Sequence, residues 1–295
     1  MNVFADEKYY LDHSSFSIQR LRRTGYNTMP RPHTHTFYEL YYLLQGERIY
    51  FMNGKVYTAQ KGDLVLVRPG DLHSTSSSQV KVVERVLVHF SPDFLREADR
   101  SLLELPAFGE SALLHFPIKE QSELERLLLS MLAECKEQPP LYKSFVRQLL
   151  VELLIRIHRS APSASNRGQF RHPMHEKVSE IASFIHTHYK ETLTLEQLSR
   201  LYYISPAYLS RVFLKLTGFH LSEYIRVVRV REAQSLLRLT NSKVQMIAEQ
   251  VGFEHVTHFN KTFKTIAGCE IKPGDGGEQP PTSPAKSRSA SAKSR

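Results

Sequence analysis

Residues 194–218 read TLEQLSRLYYISPAYLSRVFLKLTG, and residues 244–268 read VQMIAEQVGFEHVTHFNKTFKTIAG. A shift of fifty residues superposes the two stretches: Leu198 falls on Ala248, Leu201 on Val251, Tyr203 on Phe253 and Leu209 on Phe259. Arg211 then falls on Lys261, Phe213 on Phe263, Leu216 on Ile266 and Gly218 on Gly268. In each block the apolar spacing predicts a short helix, a tight turn and a second helix. Thr194 is placed to cap the first helix, over Leu195 to Tyr202. Ser205 is placed to cap the next, with Pro206 at its first position, where a missing N–H is tolerated. Gly218 and Gly268 stand where a helix end wants a left-handed residue. In the second block Ser242 is the expected cap of a helix over Lys243 to Val251, Gly252 makes the turn, and a helix runs from His255 to Ala267. Two helices joined by such a turn form a helix-turn-helix, whose second helix fits the major groove of a duplex.

Outward from the repeat, the chain changes character several times. Glu223 to Leu239 reads as the joining helix, capped by Ser222 and carrying Arg226, Arg229, Arg231 and Arg238. Ser160 to Pro173 is small, polar and proline-containing, the composition of a linker. Gln121–Glu137 and Leu141–Arg159 have helical apolar spacing and are separated by Pro139-Pro140; their apolar faces are expected on a barrel or on a second subunit. From Ser17 to His89 short strands rich in Tyr, Val, Leu and Phe alternate with turn signals at Gln45-Gly46, Asn53-Gly54, Lys61-Gly62-Asp63 and Pro69-Gly70-Asp71. That rhythm predicts an all-β barrel or sandwich, with a hairpin at Asn53-Gly54. Residues 274–295 are rich in Gly, Pro, Ser, Ala and Lys and read as a disordered basic tail. The predicted layout is 1–160 as an all-β domain with two following helices, 161–173 as linker, 174–273 as an all-α domain and 274–295 as tail.

The helical third resembles the tandem helix-turn-helix domain of AraC-type transcription regulators. The resemblance is carried by Ile204-Ser205-x-x-x-Leu209-x-Arg211-x-Phe213, by Gly218 with Tyr224, Arg229, Ala233, Leu236 and Leu237, and by Ile247-Ala248-x-x-Val251-Gly252-Phe253 with Phe259, Lys261, Phe263 and Lys264. It implies a DNA-binding regulator whose two recognition helices bury Leu209, Phe213, Phe259 and Phe263. Ala207, Ser210 and Arg211 of one helix, and Val256, Thr257, Asn260 and Lys261 of the other, are then left toward DNA. Arg211 suits guanine O6/N7, Asn260 suits adenine, and Thr257 or Val256 suits a thymine methyl. At each of these positions a phosphate contact or plain solvent exposure is the competing assignment. One departure stands out. The position fifty residues beyond Tyr224 is Gly274, within Pro273-Gly274-Asp275-Gly276-Gly277, so the closing helix of the second motif is missing.

The β region carries His33-Thr-His35-Thr-Phe-Tyr-Glu39, then Gly46, then Gly62-Asp63-Leu-Val-Leu-Val-Arg-Pro69-Gly-Asp-Leu-His73. On a strand, positions 33, 35 and 39 share one face. These runs resemble the two motifs of the cupin barrel. The first motif matches fully, while Pro69 of the second comes one residue late. The resemblance implies a barrel that senses a small molecule, with Arg31, His33, His35, Glu39, Tyr41, His73 and His89 as candidate ligand contacts. A sugar is the default effector by resemblance. No cofactor is expected; were a divalent transition metal bound, His33, His35, Glu39 and His73 would be its ligands, a set suited to Fe, Mn, Ni or Zn. Plain structural histidines are the third assignment. The competing function is a metal-dependent cupin enzyme, an isomerase or dioxygenase with a helical appendage, which leaves the repeat unexplained.

Composition bounds these readings. With 41% hydrophobic, 10% aromatic and 23% charged residues, the 295-residue chain is neither fibrous nor wholly disordered. Residues 171–295 hold 18 of the 39 basic side chains but only 11 of the 30 acidic ones, which favours a polyanion partner there. Two cysteines, Cys135 and Cys269, make no disulfide or zinc framework. The polar start and the charges inside Leu149–Ile157 give neither a signal peptide nor a membrane span. The expectation is a cytoplasmic, non-enzymatic regulator. Its partners would be double-stranded DNA, a small effector, RNA polymerase by family resemblance and a second copy of itself, with no membrane.

Overall fold

The computed structural model describes residues 3–29, 31–160 and 172–268. The expected linker therefore lies almost wholly outside the described residues, as do Cys269, the tail and the chain beyond Gly268 where a closing helix would stand.

Among the described residues nine strands come first: β1 (Val3–Leu11), β2 (Phe16–Thr24), β3 (Tyr38–Gln45), β4 (Glu47–Met52), β5 (Lys55–Gln60), β6 (Leu64–Val67), β7 (His73–Ser77), β8 (Val82–Phe90) and β9 (Ala112–Leu114). They form a six-stranded antiparallel sheet in the order β1-β2-β8-β3-β6-β9 and a three-stranded one in the order β5-β4-β7. The hairpin at Asn53-Gly54 is present, with positive φ at both residues (46° and 81°). Sequence reading missed β1. It also missed the 3-10 turns between Pro92 and Phe108, which are too short to show a helical or strand period.

Parity along the strands decides what lies on each side of the large sheet. Even positions of β3, Tyr38, Leu40 and Tyr42, join Val86, Val88 and Phe90 of β8 under α1 (Ile118–Glu137) and α2 (Tyr142–Ser160). Odd positions, Tyr41 and Leu43, face inward against Tyr50 and Met52 of β4. The apolar stripes of α1 and α2, including Leu124, Leu127, Leu128, Leu150, Leu153 and Leu154, are buried against the barrel. Of the two faces considered from the sequence, the barrel takes the stripe. Cys135, a free thiol, is buried in the same core.

The helices that follow are α3 (Pro173–His188), α4 (Leu195–Leu201), α5 (Pro206–Thr217), α6 (Leu221–Leu239), α7 (Val244–Gln250) and α8 (Val256–Ala267). The structure divides into two compact units. One is Met1–His188 with Leu193–Tyr224, and the other is Tyr189–Thr192 with Ile225–Arg295. In the first unit the small sheet carries α3 and α5. Ser179 Oγ accepts from Val56 N at 2.9 Å, and Ser74 Oγ donates to Thr217 O at 2.8 Å. Tyr224 packs against Phe51, Phe213 and Phe219 and bonds His186 Nε2 through its hydroxyl at 2.9 Å. In the second unit Val230 and Ala233 of α6 meet Ile247, Ala248, Val251, Phe253, Phe259 and Phe263. Arg229, one of the four arginines of the joining helix, is bound structurally: its Nε donates to Tyr189 O (2.7 Å) and its Nη2 to Glu191 O (2.8 Å).

The caps follow the sequence in part. Thr194 forms a full capping box with Gln197. Ser205 is the N-cap of α5 without a side-chain bond, Lys243 rather than Ser242 is the N-cap of α7, and α6 begins at Leu221, ahead of Ser222. The repeat also needs a correction. The fifty-residue shift holds for α5 and α8, which end at left-handed Gly218 and Gly268. It fails in the first helices, where α4 and α7 match at forty-nine. Ile204 N bonds Ser199 O and Phe253 N bonds Ala248 O, each at 2.9 Å, so the pairs are Leu198 with Ile247 and Tyr203 with Gly252. Tyr203 and Gly252 are the positive-φ residues of their turns (54° and 91°), which the side-chain pattern alone does not register.

Candidate functional site

The barrel holds two neighbouring groups of polar side chains. The first is a cluster of imidazoles. His33 and His73 exchange both backbone hydrogen bonds (3.0 and 3.1 Å) in an isolated bridge, which brings their ring centroids to 4.4 Å. His35 follows in the loop before β3, so His33 and His35 do not sit on the strand that carries Glu39, as the parity argument required. The bridge and the loop turn the rings together instead. One ligating atom from each of His33, His35 and His73 lies within 4.8 Å of the others.

The tautomers follow from the partners. His35 Nδ1 is 2.8 Å from Phe37 O and His73 Nδ1 is 3.2 Å from Asp71 O. A carbonyl only accepts, so Nδ1 carries the proton, and in the neutral ring Nε2 is then the acceptor and ligating atom. Both Nε2 atoms are buried without a hydrogen-bond partner. Burial lowers the pKa of His33 and His73 against the pull of Glu39, which favours neutral rings. Glu39 is buried on β3, with Oε2 2.9 Å from His89 Nε2 and 3.5 Å from His35 Nε2. Burial pushes its carboxyl upward, but hydrogen bonding to the imidazoles beside it, shortest to His89, more than offsets that and holds it well below the usual carboxylate range. His35 and His73, each with Nδ1 fixed as a donor and Nε2 left to ligate, together with the adjacent His33, fit a divalent transition metal. Such an ion would supply a Lewis-acid docking point for a ligand oxygen. Glu39 and His89, joined by a 2.9 Å hydrogen bond, flank this trio.

The second group lines a cavity of about 270 Å³ between the two sheets. Glu39 and Tyr41 are in its wall, while Arg31, His33, His35, His73 and His89 are not, and Arg31 is exposed. Its other polar walls are Arg23, Asn27, Arg48, Tyr50, Thr75 and Arg85, which sequence reading missed. The signal was available in the parity of β2, β3 and β8, because Leu21 pairs with Arg85 and Arg23 with Val83 across β2 and β8, on the inward face that Tyr41 also occupies.

The recognition helices present the residues expected to be outward. On α5, Leu209 and Phe213 are buried, Ala207 and Arg211 are exposed, and Ser210 is half-buried. The Arg211 guanidinium lies 5.5 Å from the ring centre of Tyr208, an exposed aromatic that sequence reading did not single out. On α8, Phe259 and Phe263 are buried, while Val256, Thr257, Asn260 and Lys261 are exposed. Among the described residues no helix is long and apolar enough to cross a membrane.

Comparison with known proteins agrees with both halves. The AraC-like ligand binding domain family matches residues 14–154, and the helix-turn-helix domain family HTH_18 matches residues 198–272. The HTH-type transcriptional regulator YisR of Bacillus subtilis is 28% identical over 250 residues, covering 78% of this chain and 83% of its own. The HTH-type transcriptional activator RhaR of Cronobacter sakazakii is 27% identical over 243 residues, covering 80% and 83%. A solved C-terminal domain of the response regulator yesN from Fusobacterium nucleatum is 36% identical, covering 31% of this chain and 89% of its own, with a TM-score of 0.30. The chain belongs to the AraC family of helix-turn-helix transcription regulators. It is a DNA-binding regulator with a β-rich ligand-binding domain and a helical DNA-binding domain.

Proposed function

We propose that the protein is a cytoplasmic transcription activator, active as a homodimer, whose barrel binds a sugar-like effector. In this reading 1–160 senses and dimerises, 161–173 links, 174–273 binds DNA and 274–295 is a tail. Ala207, Ser210 and Arg211, with Val256, Thr257, Asn260 and Lys261, face the major groove, and the bound protein recruits RNA polymerase. The activator sign follows RhaR, a relative named as a transcriptional activator.

The observation that carries the effector reading is a short connection inside the first unit. Arg48 in the cavity wall donates to Thr75 Oγ1 of β7 at 3.0 Å, and the adjacent Ser74 holds the last turn of α5 through Thr217 O. A ligand that reorders Arg48 and Thr75 acts one residue away from the first recognition helix. It shifts DNA affinity only as far as it binds the two arrangements differently. The enzyme reading, built on His33, His35, Glu39 and His73, gives no role to either recognition helix, and the relatives are named as regulators.

A reporter driven by the region upstream of the protein's own gene and its neighbours tests the sign. Expression of the protein should raise transcription, and Arg211→Ala should abolish the rise; repression by the wild type overturns the activator assignment.

The three-histidine group is proposed to hold a divalent transition metal. Protein purified without chelators should contain close to one equivalent by elemental analysis, and His73→Ala should lose it; less than a tenth of an equivalent in the wild type refutes the assignment.

Dimerisation is assigned to the outer face of α1 and α2, where Leu129 and Phe145 remain exposed after the stripe is buried (39% and 49%). Sedimentation at micromolar concentration should give a dimer that Phe145→Asp dissociates, and a wild-type monomer contradicts this.

A further inference from the structure

The cavity between the sheets has a charge balance that a neutral sugar does not satisfy. Three guanidinium groups line it, from Arg23 on β2, Arg48 on β4 and Arg85 on β8, against one carboxylate, Glu39. Glu39 is engaged by His89. Among the described residues none of the three arginines has a carboxylate within ion-pair distance, although other arginines of the chain do, such as Arg20 and Arg22 with Glu84.

Their bonds are to neutral acceptors. Arg48, only 8% exposed, donates to Asn27 O (2.5 Å), Ser77 Oγ (3.2 Å) and Thr75 Oγ1 (3.0 Å). Arg85 donates through Nη2 to Gln19 Oε1 at 2.9 Å and lies 5.3 Å from the ring centre of Tyr41. Three donors on the cavity walls are buried without any partner: Arg23 Nε, Arg85 Nη1 and the hydroxyl of Tyr50, a residue with no exposure at all. Enclosing a guanidinium without a compensating anion is strongly unfavourable. A planar fork fixed by neutral bonds is pre-organised for a carboxylate or phosphate.

We propose that the effector carries an anionic group, a carboxylate or a phosphate ester, gripped by Arg23, Arg48 and Arg85, with its body against Tyr41, Tyr50 and the apolar wall. The cavity size limits it to a small molecule. This assignment rests on the reading of the barrel as the effector site and sharpens it to an anionic class.

The test is thermal unfolding of the full-length protein at matched ionic strength. The probes are glucose, glucuronate, glucose 6-phosphate, citrate and inorganic phosphate, with sodium chloride as control. At least one anion should raise Tm by about 5 °C at saturation, well beyond glucose and chloride. Arg85→Met and, independently, Arg23→Met should weaken that anion at least tenfold, with folding checked by circular dichroism. These two are chosen because Arg48 also ties Asn27, Thr75 and Ser77 together. Glucuronate against glucose 6-phosphate separates carboxylate from phosphate. The proposal is overturned if no anion exceeds glucose and chloride, or if the shift survives both substitutions. DNA affinity measured with and without the stabilising anion isolates the underlying reading. Binding without any change in DNA affinity refutes the barrel as effector site and leaves the anion site standing. A glucose response untouched by Arg85→Met does the reverse.

Discussion

Replacing Phe259 with Ala is expected to remove about 3–5 kcal/mol from the second compact unit, the range for truncating a buried Phe. Phe259 is fully buried, its ring 5.1 Å from Phe253 and 5.7 Å from Phe263, in the small core that joins α6, α7 and α8. A helix of 12 residues such as α8 does not hold together in water without such a face. With the motif unfolded, DNA affinity should fall on the order of a hundredfold, since about 1.4 kcal/mol is a factor of ten. Urea unfolding and gel-shift titration read the two effects, with Thr257→Ala as a comparison that spares the core. A Phe259→Ala protein that binds within threefold of wild type would exclude the second motif from DNA recognition.

The second large effect is on specificity. Arg211 and Asn260 are exposed on helices whose opposite faces are buried, and their side chains suit guanine and adenine edges. Arg211→Ala and Asn260→Ala should each cost about 1–3 kcal/mol of discrimination at one base position and leave the others unchanged. Removing residues 274–295, with their Lys286, Arg288, Lys293 and Arg295, should weaken binding evenly across sequences and reduce its salt dependence. Competition against single-base variants of one site separates the two behaviours. If both changes act alike, base readout is wrongly assigned to these residues.

The helical motifs were legible because their punctuation is chemical. Thr194, Pro206, Gly218 and Gly268 each do at a helix end what their side chain or backbone freedom allows, and the structure puts a helix end beside each of them. The one-residue slip between α4 and α7 was not legible. It depends on which residue takes a positive φ, and Tyr203 does so without being glycine. In the barrel, both faces of the large sheet are buried, one under helices and one inside, so β3 shows no polar alternation to mark the cavity side. Nothing in the sequence therefore sets Arg23 and Arg85 apart from surface charges at strand positions. The histidine motif was visible by spacing, but the bridge between His33 and His73 that assembles it joins residues forty apart and leaves no local trace.

The most direct test of the account is a footprint of the full-length protein on DNA upstream of its own gene and neighbours, at physiological salt with competitor DNA. Two protected major-groove patches about one helical turn (~10 bp) apart per protomer, the first weakened by Arg211→Ala and the second by Asn260→Ala, is the predicted result. Uniform protection of every fragment, unaltered by either substitution, would contradict sequence-specific recognition by these two helices.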